Sequence, residues 1–309
     1  AGVNRGTDKI IEEGNPNIAR RLSKFCAVLG VRPHVVFANS THSASDTAYG
    51  RSKRIAGEIL SEIGGRYTDL VLPNLFGEGA RPRYNNVTAT FIEALINGST
   101  PLVDTESEIA MLHVGAAAQT AINVVTVGQT GRLDFSARVT RIIDLFKMLE
   151  EFHRDYVADI FPNLQDSFTL ELFNSYRSAL YPGAFPRPLG LNSDSRGTLF
   201  EIAKGGGGGQ FFSSWTKPGF TRGNHFHLGK VERFVVVSGE AVIRMRRVLG
   251  DPVLEYRLTG DAPAAVDIPT LYTHSIENVG QQPLLTLFWA HDIFDLATPD
   301  TFQDSVQKA

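Results

Sequence analysis

Residues 219–239 read GFTRGNHFHLGKVERFVVVSG, and the spacing inside this stretch decides how the C-terminal half is understood. His225 and His227 stand two apart, so on a strand both side chains leave the same face. Glu232 follows after a short turn, between glycines at 219 and 239. Further on, PTLYTHSIEN adds Pro269, His274 and Asn278, with Leu271 between them. An isolated histidine in a strand is more often a satisfied polar residue than a ligand, so the pattern has to carry the argument rather than any one imidazole.

The segments around this stretch alternate strand-like runs with turn residues. GTLFEI, GQFFSSWT, ERFVVVSGEAVIRMRRV, VLEYRLTG, AAVDIP and PLLTLFWAH show almost no helical period, which predicts an all-β sandwich or barrel over the last ~120 residues. Between two of these runs, the glycines Gly205 to Gly209 in KGGGGGQ predict a mobile loop. The first half has a different rhythm. Helical spacing over Ile18–Leu29 and Tyr49–Ile63 alternates with the short strands PHVVFANS and TDLVLPNLFG, as expected for a parallel α/β sheet. Ile109–Val127 reads as a strand and core helix, and Val139 to about Leu180 as helical. YPGAFPRPLG, with three prolines and two glycines, is a linker. The resulting division is an α/β domain over residues 1–183, a linker over 184–190 and a β domain over 191–309.

With 309 residues and 42% hydrophobic content, the chain can bury a sizeable core. Thirty basic and 33 acidic residues, a formal charge of -3, form no basic stripe, which argues against nucleic acid or a membrane surface as partner. Cys26 is the single cysteine, consistent with a cytoplasmic protein and excluding an intrachain disulfide framework. No signal peptide is visible at Ala1.

The spacing around His225 matches the first motif of the cupin superfamily at every marked position, and PTLYTHSIEN resembles the second, with Leu271 where glycine is usual. The resemblance implies a small jelly-roll β-barrel in which His225, His227, Glu232 and His274 converge. Three imidazoles and one carboxylate suit zinc, iron, manganese or nickel. Some cupins instead keep such histidines as acid/base groups without metal. Late cupin strands face the same cavity, which makes His291 and Tyr272 candidate bases, with Lys217 a third.

AYGRSK places Tyr49 and Lys53 four apart at the start of a helix, on one face. An ammonium beside the phenol is expected to lower its pKa, readying it for proton transfer with a carbonyl oxygen that Ser40 could also bond. Strand, serine, Tyr-x-x-x-Lys and helix together resemble the extended short-chain dehydrogenase/reductases. The glycine-rich cofactor cradle of that family does not precede AGVNRG. The reductase half is therefore expected to be a partial Rossmann-like domain lacking about 50 residues, roughly two strand-helix units, and to bind NADPH poorly.

Taken together, AGVNR, YGRSK, LPNLFGEGARPRYNNVTATF, GNHFH, ERFVVVSGEAVIR, VDIP, YTHSIEN and PDTF resemble the bifunctional capsular polysaccharide enzymes of the CapF type over essentially the whole chain. That resemblance implies C3 epimerisation of a UDP-4-keto-6-deoxy-N-acetylhexosamine in the cupin domain. NADPH-dependent C4 reduction follows, giving a UDP-N-acetyl-6-deoxy-L-talosamine on the route to UDP-N-acetyl-L-fucosamine for capsule or O-antigen. Tyr49 would be the acid, Lys53 its partner, both of them binding the cofactor, and Ser40 the carbonyl donor. Arg81, Arg83, Asn85 and Asn86 would approach the sugar or phosphates. Gly115 and Ala116 depart from the family, which usually carries acidic residues there. A zinc-bound homodimer is expected. Two other functions keep the same motifs: a non-catalytic metal-cupin module serving dimerisation, and a metal-dependent cupin dioxygenase.

Overall fold

The computed structural model describes residues 2–195, 197–205 and 207–307; Ala1 and Gly206, which belong to two segments read above, lie outside the described residues. The chain forms two compact units, Ala1–Phe76 with Asp104–Ile142 and Gly77–Val103 with Ile143–Ala309.

The first unit begins with α1 (Asp8–Leu29), β1 (Val35–Ser40), α2 (Ala48–Ser61), β2 (Tyr67–Leu72) and β3 (Asn74–Phe76). The chain then gives α3 (Val87–Ile96) to the second unit before returning with β4 (Glu108–His113), α4 (Val114–Val127), β5 (Gly131–Asp134) and β6 (Arg138–Arg141). β1, β2 and β5 pair in parallel in that order. Alternation along β1 sorts its side chains by face. Val35 and Phe37 pack with Ala19 of α1 and with Ala56 and Leu60 of α2. Val36 packs on the other side with Leu70, Leu72 and Ala117 of α4. Helices on both faces are what a parallel sheet requires. β3, β4 and β6 form a second small sheet. Arg138–Arg141, expected to be helical from Val139 on, is its antiparallel edge; helical structure starts only at Ile142.

The second unit continues through α5 (Ile142–Val157, which it holds from Ile143), β7 (Ile160–Phe161), α6 (Ser167–Ser178), β8 (Arg187–Pro188), β9 (Leu191–Asp194), β10 (Gly197–Phe200) and β11 (Lys204–Gly205). Nine strands complete it: β12 (Gln210–Thr216), β13 (Thr221–Phe226), β14 (Glu232–Ser238), β15 (Glu240–Arg247), β16 (Val253–Thr259), β17 (Ala264–Ile268), β18 (Tyr272–Asn278), β19 (Leu284–Ala290) and β20 (Phe302–Gln303). Together with β8 they form two five-stranded sheets with orders β12-β19-β14-β17-β8 and β16-β15-β18-β13-β20. Every pairing within these sheets is antiparallel. Among the described residues no pairing joins the two sheets, so the expected closed barrel is here a pair of open sheets.

Part of the glycine run is tied down rather than looping free. Lys204 and Gly205 pair in parallel with Ile160 and Phe161. Gly209, at φ 135°, lies so close to β19 that a Cβ would sit 2.5 Å from the Ala290 carbonyl oxygen. Any side chain there would push the strand away.

Leu271, the residue standing where the cupin pattern has glycine, adopts φ 62°. A left-handed conformation costs an L-residue about 1–2 kcal/mol and glycine almost nothing. Leu271→Gly is therefore expected to leave the melting temperature unchanged or slightly raised, while Leu271→Val lowers it; thermal unfolding followed by circular dichroism distinguishes the two.

Candidate metal centre and proton-transfer groups

The four predicted ligands come from both sheets of the second unit. β13 carries a register shift between Gly223 and His225, with Gly223 at φ 98° and Asn224 at φ 60°. A Cβ at 223 would lie 2.7 Å from the His274 carbonyl oxygen. Glycine thus lets β13 press against β18, and the bulge sets His225 opposite His274 in the register. Their ring centroids are 4.6 Å apart. His227 follows β13 with its ring 5.0 Å from His225 and 5.3 Å from His274. Glu232 enters from the first residue of β14, in the other sheet. One ligand atom from each of the four falls within 4.8 Å of the others.

The hydrogen bonds orient the rings. His227 Nδ1 lies 2.5 Å from the Asp300 carbonyl oxygen, and its Nε2 3.1 Å from Glu232 Oε2. His274 Nδ1 faces the Tyr272 carbonyl at 3.3 Å. Because a carbonyl can only accept, both rings carry a proton on Nδ1 and turn Nε2 to the centre. His274 Nε2 is buried with no hydrogen-bond partner among the described residues and lies 4.0 Å from Glu232 Oε2. An orphaned buried lone pair beside a carboxylate suits a cation.

The charges agree with this. Burial would raise the Glu232 carboxyl, but the hydrogen bond and charge of His227 outweigh it and bring it down to about 2. Burial holds His274 down to about 3; burial, then the charge of His227, also lowers His225. Burial opposes protonation of His227, yet its bond to Glu232 raises it overall. An ionised carboxylate and neutral imidazoles are the protonation states a divalent cation binds, and His227 would release a proton on binding.

The three candidate bases are placed differently. Tyr272 stands two residues before His274 on β18, its ring 5.7 Å from Tyr181. His291 follows β19; its main-chain N–H donates to the Val231 carbonyl, and its Nδ1 accepts from the Val231 N–H at 3.1 Å. Lys217 lies exposed in the turn between β12 and β13.

In the first unit, Ser40 ends β1, and Tyr49 and Lys53 lie one turn apart on α2. The Thr47 side chain caps that helix by accepting from the Gly50 N–H at 3.1 Å. Burial pushes the Tyr49 phenol up, opposed by a hydrogen bond with Ser40. Lys53 was expected to lower the phenol, but its ammonium donates to the Ala38 carbonyl at 2.5 Å and sits 4.2 Å over the Phe37 ring. Burial lowers Lys53 to about 8, with Asp69 opposing.

Residues 192–302 match the family model described as polysaccharide biosynthesis C-terminal domain. The chain is 30% identical over 315 residues to UDP-2-acetamido-2,6-beta-L-arabino-hexul-4-ose reductase of Pseudomonas aeruginosa, spanning 99% of this chain and 85% of that protein. The crystal structure of capsular polysaccharide assembling protein CapF from Staphylococcus aureus matches with 31% identity and a TM-score of 0.58, over 93% of this chain and 80% of that one. The chain belongs to the CapF-type family of capsular polysaccharide biosynthesis proteins. A CapF structure with the inhibitor 3-isopropenyl-tropolone also matches, with 31% identity and a TM-score of 0.52, over 99% of this chain and 84% of that one.

In this CapF-type chain the segment RPRYNNV lies in the second unit. Arg81 covers the Tyr84 ring at 5.1 Å and Arg83 pairs with Glu93 at 2.7 Å. Asn86 caps α3 by accepting from the Ala89 N–H at 2.9 Å. Asn85 holds φ 52° just before it. Gly77–Pro82, α3 and α6 line a cavity of about 350 Å³ that includes Pro82, Glu93 and Ser175. Two groups near the metal centre escaped the sequence reading. Lys230 is buried, its ammonium donating to the Pro299 carbonyl at 3.3 Å. Asp300 holds His227 from 73 residues away. PDTF had stood out as a matching segment, but nothing local says what it touches.

Proposed function

We propose that the chain is a nucleotide-sugar-modifying enzyme with two sites. Its C-terminal sheets, taken as an opened cupin jelly roll beginning after the 184–190 linker, epimerise C3 of a UDP-4-keto-6-deoxy-N-acetylhexosamine. The Ser40, Tyr49 and Lys53 group reduces the C4 ketone with NADPH, on the route to UDP-N-acetyl-L-fucosamine for capsule or O-antigen. We place this activity in the cytoplasm, in a homodimer, with zinc held by His225, His227, Glu232 and His274. The observation that carries the reading is the convergence of those four side chains with the His274 Nε2 lone pair left over. The reductase name of the Pseudomonas relative and the capsular polysaccharide title of the Staphylococcus structure support it.

The C3 proton of such a sugar is acidic because it lies α to the C4 carbonyl, and removing it leaves an enediolate that can be reprotonated from the other face. The divalent ion, when bound, would act as a Lewis acid toward the developing oxyanion. The chain must then supply one group to take the proton and another to return it. His291 is one candidate for this pair: with Nδ1 accepting from Val231, its Nε2 is the ring atom that carries the proton. Tyr272, two residues from His274, is the second candidate, its phenol suited to returning a proton. At the other site, burial keeps the Tyr49 phenol protonated at neutral pH, the form that gives its proton to O4 as hydride reaches C4. Ser40 bonds the same oxygen.

Incubating the zinc-loaded protein with the keto-sugar in heavy water, without NADPH, is expected to bring deuterium into C3, read by NMR. No exchange by folded, metallated protein would defeat the epimerase half. NADPH fluorescence tests the other half: Tyr49→Phe is expected to lower whatever turnover the unmutated chain shows about 100-fold or more. Unchanged turnover would remove Tyr49 from the reaction.

A further inference from the structure

The five residues from His227 to Val231 join two of the four ligands, since His227 opens this loop and Glu232 follows it. Such a loop must hold one shape if the two ligand atoms are to keep their spacing. The main-chain N–H groups of Leu228, Gly229 and Lys230 all donate to the Asp300 carboxylate, each at 2.9 Å. Three successive N–H groups around one anion form a nest, here filled by the protein's own side chain. The same residue's carbonyl oxygen lies 2.5 Å from His227 Nδ1. Asp300 therefore holds both the loop and the ring it carries.

The segment bearing Asp300 is itself fixed. Phe302 and Gln303 pair with Phe226 and His225 of β13. The Asp304 N–H donates to the Asn224 carbonyl at 3.0 Å, just where β13 bulges. Arg246, 2% exposed, donates to Asp304 Oδ2 and to the Ser305 carbonyl, both at 2.7 Å, and to the Val306 carbonyl at 3.0 Å. An anchor on a loose tail would transmit little; this one is braced against the strand that supplies His225.

We propose that Asp300 is a positioning residue for the metal centre: its carboxylate shapes the loop from His227 to Glu232, and its carbonyl fixes the His227 ring with Nε2 toward the ion. The proposal rests on the metal-binding reading above. Partners of this kind typically govern metal affinity by about 10–100-fold. Nothing in the role requires Asp300 to touch substrate.

The test uses the full chain, with zinc affinity measured by competition against a chromophoric chelator and site geometry read from the visible bands of the cobalt(II) form. Asp300→Ala is expected to weaken zinc binding about 10–100-fold and to shift the cobalt bands. Asp300→Asn, which keeps the shape but accepts fewer N–H groups, should fall between, and it decides the matter if the alanine variant does not fold. A residue that only ties the loop would lower the melting temperature of the metal-free protein while leaving affinity within about twofold and the cobalt bands unmoved, well short of a partner's usual effect; that result overturns the proposal. If the unmutated chain binds neither zinc nor cobalt, the metal reading itself fails, so the two failures are told apart.

Discussion

His274→Ala is expected to abolish deuterium entry at C3 while leaving the protein folded. The buried Nε2 of His274 has no hydrogen-bond partner among the described residues, so its loss removes a ligand atom whose evident use is the ion. Taking away one charge-stabilising group typically slows such chemistry by about 100- to 1000-fold, and loss of the ion itself should do no less. His274 is 1% exposed on β18, and the alanine cavity will cost some stability. Far-UV circular dichroism and an unfolding curve must therefore accompany the exchange measurement. His274→Gln, which fills more of the space without supplying an imidazole, separates packing from ligation. Exchange within tenfold of the unmutated rate in a folded His274→Ala protein would mean that C3 chemistry does not depend on this centre. Prolonged chelation of the unmutated protein should reproduce the loss, and restored zinc should reverse it.

The ligands were legible in the sequence because their relation is local. Two residues apart on a strand means one face, and the His225–Glu232 spacing encodes a single turn. What the spacing could not encode was the means of bringing them together. The bulge at Asn224 and the close approach at Gly223 depend on β18, some 50 residues on. The Asp300 clamp spans more than 70 residues and leaves no periodic trace. The α/β rhythm of the first half was equally readable, since β1 packs alternate residues on its two faces and α2 buries Ala56 and Leu60 one turn apart. Val139–Arg141 was not, because three residues leading straight into an amphipathic helix share its pattern; only pairing with β4 makes them part of a strand. The pKa order at Tyr49 was missed for a related reason. Spacing puts Lys53 on the same helix face, but whether its ammonium reaches the phenol or the Ala38 carbonyl is decided by the fold.

Asp267→Ala is expected to destabilise the second unit by about 3–5 kcal/mol, the usual cost of stripping one partner from a buried ion pair. Strand alternation sends Glu232 and Phe234 of β14 to one face, that of the metal centre, and Arg233 and Val235 to the other; Phe234 meets the His274 ring at 5.6 Å. Arg233 is thereby wholly buried, as is Asp267 directly opposite it on β17. Its guanidinium donates to both Asp267 oxygens, at 2.6 and 2.9 Å, and to Asp159 at 2.8 Å. The Tyr156 hydroxyl of α5 donates to the same carboxylate. Alanine would leave Arg233 with Asp159 as its carboxylate partner and with the Ile202 carbonyl, and Tyr156 without this acceptor. A domain stable by only about 5–15 kcal/mol would lose a large share of that margin, visible as a lower urea midpoint. Arg233→Met combined with Asp267→Leu should recover most of the loss, because it removes the stranded charge along with its partner. The pH dependence has a definite sign. Burial raises the Asp267 carboxyl, but the attraction and hydrogen bonds of Arg233 prevail and hold it below its usual value. A carboxyl whose folded pKa lies below its unfolded one stabilises the fold above the unfolded value of about 3.9 and loses that contribution as pH falls further. The gap between the unmutated and Asp267→Ala proteins should therefore hold from pH 7 to about pH 4 and narrow below it. A gap that stays constant, or a loss under about 1 kcal/mol at neutral pH, would show that the pair is no stronger than one on the surface.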